Sequence, residues 1–322
     1  MTHRLLVSDT KVIDTEAIRE ELDASDVRLE RTDARMPDDL IDVAAEIDGL
    51  VVDANTHVTE RVISSLNSLE VVGRAGIGVD NVDVRAAADH GVTVVNVPDY
   101  CLDEVSTHAL GLMLACVRRI PTFDRAVRDG TWDWTVGRPI DRLQGQTVGL
   151  VAFGKIARSL SRKLRGFDVD VLVYDPYVSE PEMAGFDVTK VSFRNLLDRS
   201  HVVSVHAPLT NETRGLFDVD AFSSMRENAV LVNTARGGIV DESALHGALV
   251  SGEIAAAGLD VREEEPPTAT PLSELETVVF TPHVGWYSEA SRSELTRSVF
   301  VDVLQVLDGG DPDHPVDPES SW

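Results

Sequence analysis

Arg236, Glu265 and His283 stand where apolar runs give way to polar loops, in VLVNTARGG, AAAGLDVREEEPP and VVFTPHVGW. Each has a plain structural explanation on its own: an ion pair, one of several solvated acids, a hydrogen-bonded loop histidine. Together they supply the parts of a hydride-transfer site. The planar fork of an arginine grips a substrate carboxylate through two charge-assisted hydrogen bonds, which suits a 2-oxo acid. Histidine gives a proton to the carbonyl oxygen as hydride reaches the carbon, and a neighbouring glutamate favours its charged form and fixes its tautomer. The redox step then belongs to a nicotinamide, with the protein supplying position and electrostatics.

A hydride carrier needs a seat, and GLVAFGKI, residues 149 to 156, is the candidate. Read from Gly149 to Gly154-Lys155 it nearly spells the phosphate loop of nucleoside triphosphatases, but Ile156 stands where Ser or Thr should hold magnesium. Read from Ala152, the stretch Ala152-Phe153-Gly154-Lys155-Ile156-Ala157 is a G-x-G-x-x-G fingerprint with alanine at the first and third glycine positions. Leu150 to Phe153 continue from Thr147-Val148 as an apolar strand and cannot open around a triphosphate, which decides for the dinucleotide. The turn falls at Gly154. KIARSLSRKLRGF is then expected to form a helix whose first amides, those of Lys155 and Ile156 among them, receive a pyrophosphate. Asp175 follows Gly154 by roughly 20 residues, where a dinucleotide fold places the acid that accepts the ribose hydroxyls, and its charge favours NAD over NADP.

Bringing these residues together takes strands that end at one edge. RLLVSD, DGLVVD, LEVVGR and VTVVNV read as strands in the first hundred residues, with helical stretches such as EAIREEL between them. TVGLVAF, VDVLVYD, HVVSVHA, NAVLVNT, IAAAGLD and VVFTP form a second series. The alternation predicts an α/β chain of two domains, each a parallel sheet with helices on both faces. DEVSTHALGLMLACVRRI places Val105, Ala109, Leu112 and Cys116 at helical spacing and predicts one long packed helix joining the domains. Both cysteines, Cys101 and Cys116, are read as lying in that helix. They lack metal-ligand spacing, so they read as core or half-buried thiols, and no metal is expected.

Among the 322 residues, 55 acidic side chains against 29 basic ones leave a net charge of −26. Such a surface repels nucleic acid and anionic lipid, so neither is an expected partner. Acidic, lysine-poor surfaces suit salt-loving organisms, where concentrated cations screen the self-repulsion. No apolar run approaches membrane-spanning length and MTHRLLVSDT lacks a signal-peptide core, so a cytoplasmic protein is expected.

Four motifs in order, GRAGIGVDNVD, VNTARGGIVDESAL, GLDVREEEPP and TPHVGWYSE, resemble the D-2-hydroxyacid dehydrogenases. That group includes phosphoglycerate dehydrogenase, glycerate and formate dehydrogenases and the C-terminal-binding-protein corepressors. The resemblance covers nearly the whole chain and puts Arg236, Glu265 and His283 on the family's catalytic positions. It implies that Gly76 and Ile77 offer amides to the substrate carboxylate, that Thr234, Asp260 and Gly285 flank the nicotinamide, and that His206 and Pro208 line the adenosine side. It also implies two doubly wound parallel-sheet domains with a cleft between them, and a homodimer. The flavodoxin-like substrate domain takes residues 1–100 and 286–322, and the Rossmann NAD-binding domain takes 101–285. Ending at 322, the chain is expected to lack the regulatory extension of many phosphoglycerate dehydrogenases.

One position departs from that pattern. Phosphoglycerate dehydrogenases commonly bind the substrate's phosphate with an arginine where this chain has Asp53, and an aspartate there repels phosphate. The expected substrate is therefore a small unphosphorylated 2-oxo acid, with Trp286 covering an apolar tail. The function so implied is an NAD-dependent D-2-hydroxyacid dehydrogenase. The alternatives are D-3-phosphoglycerate dehydrogenase of serine biosynthesis and an NAD(H)-sensing scaffold like the corepressors.

Overall fold

The computed structural model describes residues 2–8 and 11–319. The chain divides into two compact units: one runs as far as Cys101 and resumes at Tyr287, and the other is Leu102–Trp286.

The first unit is built on five parallel strands, β1 (His3–Ser8), β2 (Val27–Arg31), β3 (Gly49–Val52), β4 (Val71–Arg74) and β5 (Thr93–Val95). Their order, β2-β1-β3-β4-β5, is the flavodoxin-like one. β3 and β4 are buried along their whole length, as strands covered on both faces must be. β2, VRLER, escapes a search for apolar runs because it lies at the sheet edge, where charged residues reach solvent. Asp9, the last residue of the expected strand RLLVSD, lies outside the described residues. The helix Glu289–Leu307 begins at Ser288, whose side chain accepts from the Ser291 amide, and buries Leu295, Val299, Phe300 and Val303 against the sheet. Gly73 in β4 makes that approach possible, since a Cβ there would lie 2.6 Å from Val303 Cγ2.

Seven parallel strands form the second unit: β6 (Thr147–Val151), β7 (Asp170–Tyr174), β8 (Thr189–Lys190), β9 (Val202–Val205), β10 (Ala229–Asn233), β11 (Ile254–Leu259) and β12 (Val278–Phe280). The sheet order is β12-β11-β10-β9-β6-β7-β8, so the chain winds outward from β6 to β8, then returns to β9 and winds the other way. The reversal between β6 and β9 is the switch point at which open α/β sheets bind ligands, beyond the carboxyl ends of the strands. β8, two residues long at the far edge, was not legible as a strand, for the reason that hid β2.

The helix Lys155–Leu164 buries Ala157, Leu160, Ser161 and Leu164, a single stripe of period 3.6. The helix Leu102–Val117 buries Val105, Ala109, Leu112 and Cys116 as their spacing requires, and packs within this unit on β10 and β11. Cys101 stands just before that helix and not inside it, which corrects the expectation. Both thiols are buried, and burial pushes Cys116 up to about 12 against the pull of Arg119, which leaves it protonated and inert. Among the described residues, no helix is long and apolar enough to cross a membrane.

Candidate active site

β10, β11 and β12 are neighbours, so the loops that follow them leave the same edge of the sheet side by side. His283 Nδ1 lies 2.6 Å from Glu265 Oε2, which turns Nε2 into the nitrogen that can exchange a proton with a substrate. Glu265 Oε1 accepts from the Arg262 amide at 3.0 Å. Burial works against the charged carboxylate, but the bonds from His283 and the Arg262 amide, with the charge of Arg236, outweigh it and hold Glu265 below the usual carboxylate range. Arg236 thus acts on the same glutamate, while its Nη1 donates to its neighbour's carbonyl, Ala235 O, at 2.8 Å. The backbone of His283 is left-handed, with φ of 52°, a costly conformation for a residue with a side chain. Two carbonyls hold it there, accepting from the His283 amide: Asp260 O at 2.8 Å and Thr281 O at 3.0 Å.

Asp260 fastens the β11 loop to the β12 loop. Its carboxylate, in a residue only 2% exposed, accepts from Thr281 Oγ1 at 2.6 Å, the Val284 amide at 2.9 Å and the Gly285 amide at 2.8 Å. Burial opposes its charge, and those donors together with His108 prevail and lower its pKa. Gly285 must be glycine-sized here, because a Cβ would stand 2.8 Å from Asp260 Oδ2. His108, whose Nε2 is 2.8 Å from Thr281 Oγ1, completes the cluster. It was not singled out from the sequence, since its helix reads only as a packing element.

The edge also fits a dinucleotide. Ala152 takes the left-handed conformation, φ 69°, that the first glycine of the fingerprint usually supplies. Gly154 caps the helix Lys155–Leu164 without a side-chain bond, and a Cβ on it would meet nothing within 4 Å. Open space over uncapped helix amides is what a pyrophosphate requires. Lys155 is exposed and Ile156 half-buried, while Ala157 is fully buried and small enough for helix and strand to close. Thr234 Oγ1, at the end of β10, is buried and meets no partner among the described residues, an orphan that a bound amide would satisfy.

Asp175 differs from the picture of an open ribose acceptor. It is buried, with Oδ2 accepting from the Phe153 amide at 2.8 Å and Oδ1 from the amides of Tyr177 at 2.8 Å and Val178 at 3.0 Å. These bonds shape the turn and leave acceptor capacity for one further donor, on Oδ2. His206 pairs through Nε2 with Ser204 Oγ at 2.9 Å, and burial pushes it down to about 4, so its ring is neutral near pH 7. Pro208 is exposed, and its carbonyl accepts from Thr213 Oγ1 at 2.6 Å.

In the first unit, Gly76 adopts φ of 145°, and the Arg74 guanidinium fills the place its Cβ would take, Nη1 lying 1.6 Å from that point. The carbonyls of Gly76 and Ile77 accept from the Val97 amide at 3.0 Å and Asn96 Nδ2 at 2.6 Å, and among the described residues their own amides meet no acceptor. Asp53 turns inward. Its carboxylate turns into its own loop, with Oδ1 accepting from the Asn55 amide at 2.9 Å and Thr56 Oγ1 at 3.0 Å, and Arg35 Nη2 lies 3.5 Å from Oδ2. An aspartate at this point makes a local turn and an ion pair and presents little charge outward. Trp286 is half-buried.

Residues 110–285 match the family model described as "D-isomer specific 2-hydroxyacid dehydrogenase, NAD binding domain". The chain is 38% identical over 273 residues to D-3-phosphoglycerate dehydrogenase of Archaeoglobus fulgidus, an alignment covering 84% of this chain and 52% of that protein. It therefore spans about half the length of that relative. It is 36% identical over 292 residues to hydroxypyruvate reductase of Thermotoga maritima, covering 90% of this chain and 91% of that one. The fold superposes on the crystal structure of a glyoxylate reductase from Paecilomyes thermophila with a TM-score of 0.89 at 25% identity, over 99% of both chains.

Proposed function

We infer that this chain, which belongs to the D-isomer specific 2-hydroxyacid dehydrogenase family, interconverts a small 2-oxo acid and the 2-hydroxy acid with NAD(H). The observation that carries this is the 2.6 Å contact between His283 Nδ1 and Glu265 Oε2 within reach of the Arg236 charge. NADH, when bound, supplies the hydride. The fork of Arg236 holds the substrate carboxylate. His283, with Nδ1 fixed by Glu265, gives the Nε2 proton to the carbonyl oxygen in reduction and takes it back in oxidation.

The first amides of the helix Lys155–Leu164 receive the pyrophosphate, and the remaining acceptor position of Asp175 receives a ribose hydroxyl. Thr234, Asp260 and Gly285 belong to the nicotinamide end, and His206 and Pro208 to the adenosine end. Residues 1–100 and 286–322 serve as the substrate domain and 101–285 as the nucleotide domain. The protein acts as a homodimer, which the exposed apolar residues Ile120, Val127, Trp132, Trp134 and Val136 support, Trp132 being 90% exposed. Two buried cysteines that form no disulfide suit the reducing cytoplasm.

A second substrate reading, 3-phosphohydroxypyruvate, is favoured by the inward turn of Asp53 toward Arg35, which partly offsets the charge expected to repel a phosphate. Initial rates of NADH oxidation with glyoxylate, pyruvate, hydroxypyruvate and 3-phosphohydroxypyruvate test both. Activity with the unphosphorylated acids is expected. Inactivity with all four overturns the hydride-transfer reading, and the highest kcat/KM on the phosphorylated acid establishes the second.

A further inference from the structure

One ion pair outside the proposed catalytic trio touches the loops that carry all three residues. Arg262 meets Glu242 side by side, Nε to Oε1 and Nη2 to Oε2, each at 2.7 Å. The two side chains are 9% and 14% exposed. Nη2 also donates to Thr270 Oγ1 at 3.1 Å, and Glu242 Oε1 accepts from the Glu263 amide at 2.9 Å. The bond to Glu242 is the leading cause that raises the Arg262 pKa, while burial opposes the Glu242 charge and is outweighed by Arg262 and that amide. Both ions are thereby kept charged inside the fold, where either alone would be costly.

From this anchor Arg262 reaches three ways. Its amide donates to Glu265 Oε1 at 3.0 Å. Its guanidinium lies over the ring of Phe280, 4.8 Å from the centroid, and Phe280 ends the strand that leads to His283. Its carbonyl presses on Gly237, the residue after Arg236, so closely that a Cβ there would stand 1.8 Å from Arg262 O. Glu265 is the last of three consecutive glutamates, all of which water would solvate equally well. Glu265 is the one of the three that both accepts from the Arg262 amide and meets the imidazole.

We propose that Arg262, clamped by Glu242, is a positioning residue that holds Glu265 against His283. The inference rests on the hydride-transfer reading above. The double variant Arg262→Met/Glu242→Gln removes both charges without stranding a buried ion, and Arg262→Lys keeps the charge but loses the fork. The measurements are kcat and KM on a 2-oxo acid that the wild type reduces, the Kd for NADH, the pH-rate profile and Tm.

In the double variant kcat is expected to fall by about tenfold or more, the effect of a small displacement of a catalytic group. The Kd for NADH should stay at the wild-type value, and the profile should move toward acid, the direction also expected on neutralising Glu265 itself. Arg262→Lys is expected to lie between wild type and double variant, and it carries the test if the double variant does not fold. Wild-type kcat and profile in the folded variant overturn the proposal, as does a loss of kcat matched by a loss of NADH binding. An active wild type with an unaffected variant refutes this inference alone, whereas a wild type inactive on every 2-oxo acid removes the reading beneath it.

Discussion

His283, Glu265 and Arg236 were legible in the sequence because each is a chemically distinctive residue at the end of an apolar run. Their mutual distances were not, nor was the support from His108 and from the pairing of Arg262 with Glu242, because no spacing rule links residues tens of positions apart. The proposed roles separate by substitution. His283→Asn is expected to lower kcat by about two to four orders of magnitude, the span of general acid–base catalysis, with NADH affinity unchanged in a fluorescence titration. Equal turnover would assign the proton to another group. Glu265→Gln acts on pH dependence. The folded carboxyl sits below the usual range, so its charge persists as the pH falls and is lost only through that depressed value. Neutralising it withdraws support from the imidazolium, so the pH-rate profile for reduction shifts toward acid, and a stationary profile would remove Glu265 from the mechanism.

Elements that position these residues are the buried parallel strands and the helix Lys155–Leu164. The strands were read from sequence because burial on both faces demands unbroken apolar runs; β2 and β8 were missed because an edge strand has no such demand. The fingerprint turn keeps its shape although Ala152 replaces a glycine, with the alanine itself in the left-handed region. Gly154 offers a test of the cradle. A Cβ there would meet nothing within 4 Å, so Gly154→Val is expected to leave the Tm of the cofactor-free protein nearly unchanged. NADH affinity should nonetheless fall by about tenfold or more, equivalent to about 1.4 kcal/mol, as the valine occupies the pyrophosphate's space. Calorimetric titration showing wild-type affinity would move the cofactor away from this helix.

For the whole molecule, charge and apolar exposure carry the expectations. With a net charge of −26, self-repulsion is screened only when the Debye length shortens, to about 3 Å in molar salt. Tm should therefore climb steeply between dilute buffer and molar potassium chloride, and a flat response would identify an acidic protein with no adaptation to salt. Trp132 and Trp134, 90% and 71% exposed, belong to the exposed apolar stretch on which the homodimer reading rests. Light scattering should give twice the chain mass, and Trp132→Asp/Trp134→Asp should halve it; an unchanged mass would place the contact elsewhere.

Residue order alone determined the α/β class, the NAD-type turn and the three candidate catalytic side chains, because hydrophobic period, turn chemistry and side-chain type are local properties. Only tertiary structure decided which acids face a partner and which turn inward. Asp53 spends most of its acceptor capacity on its own loop and Asp175 divides its own between its loop and the Phe153 amide, while Glu265, the last of three adjacent glutamates, is the one aimed at His283. That choice depends on the strand order that sets β10, β11 and β12 side by side and on the Arg262–Glu242 clamp. Both are long-range pairings, stabilised by contacts between segments whose local patterns carry no record of each other.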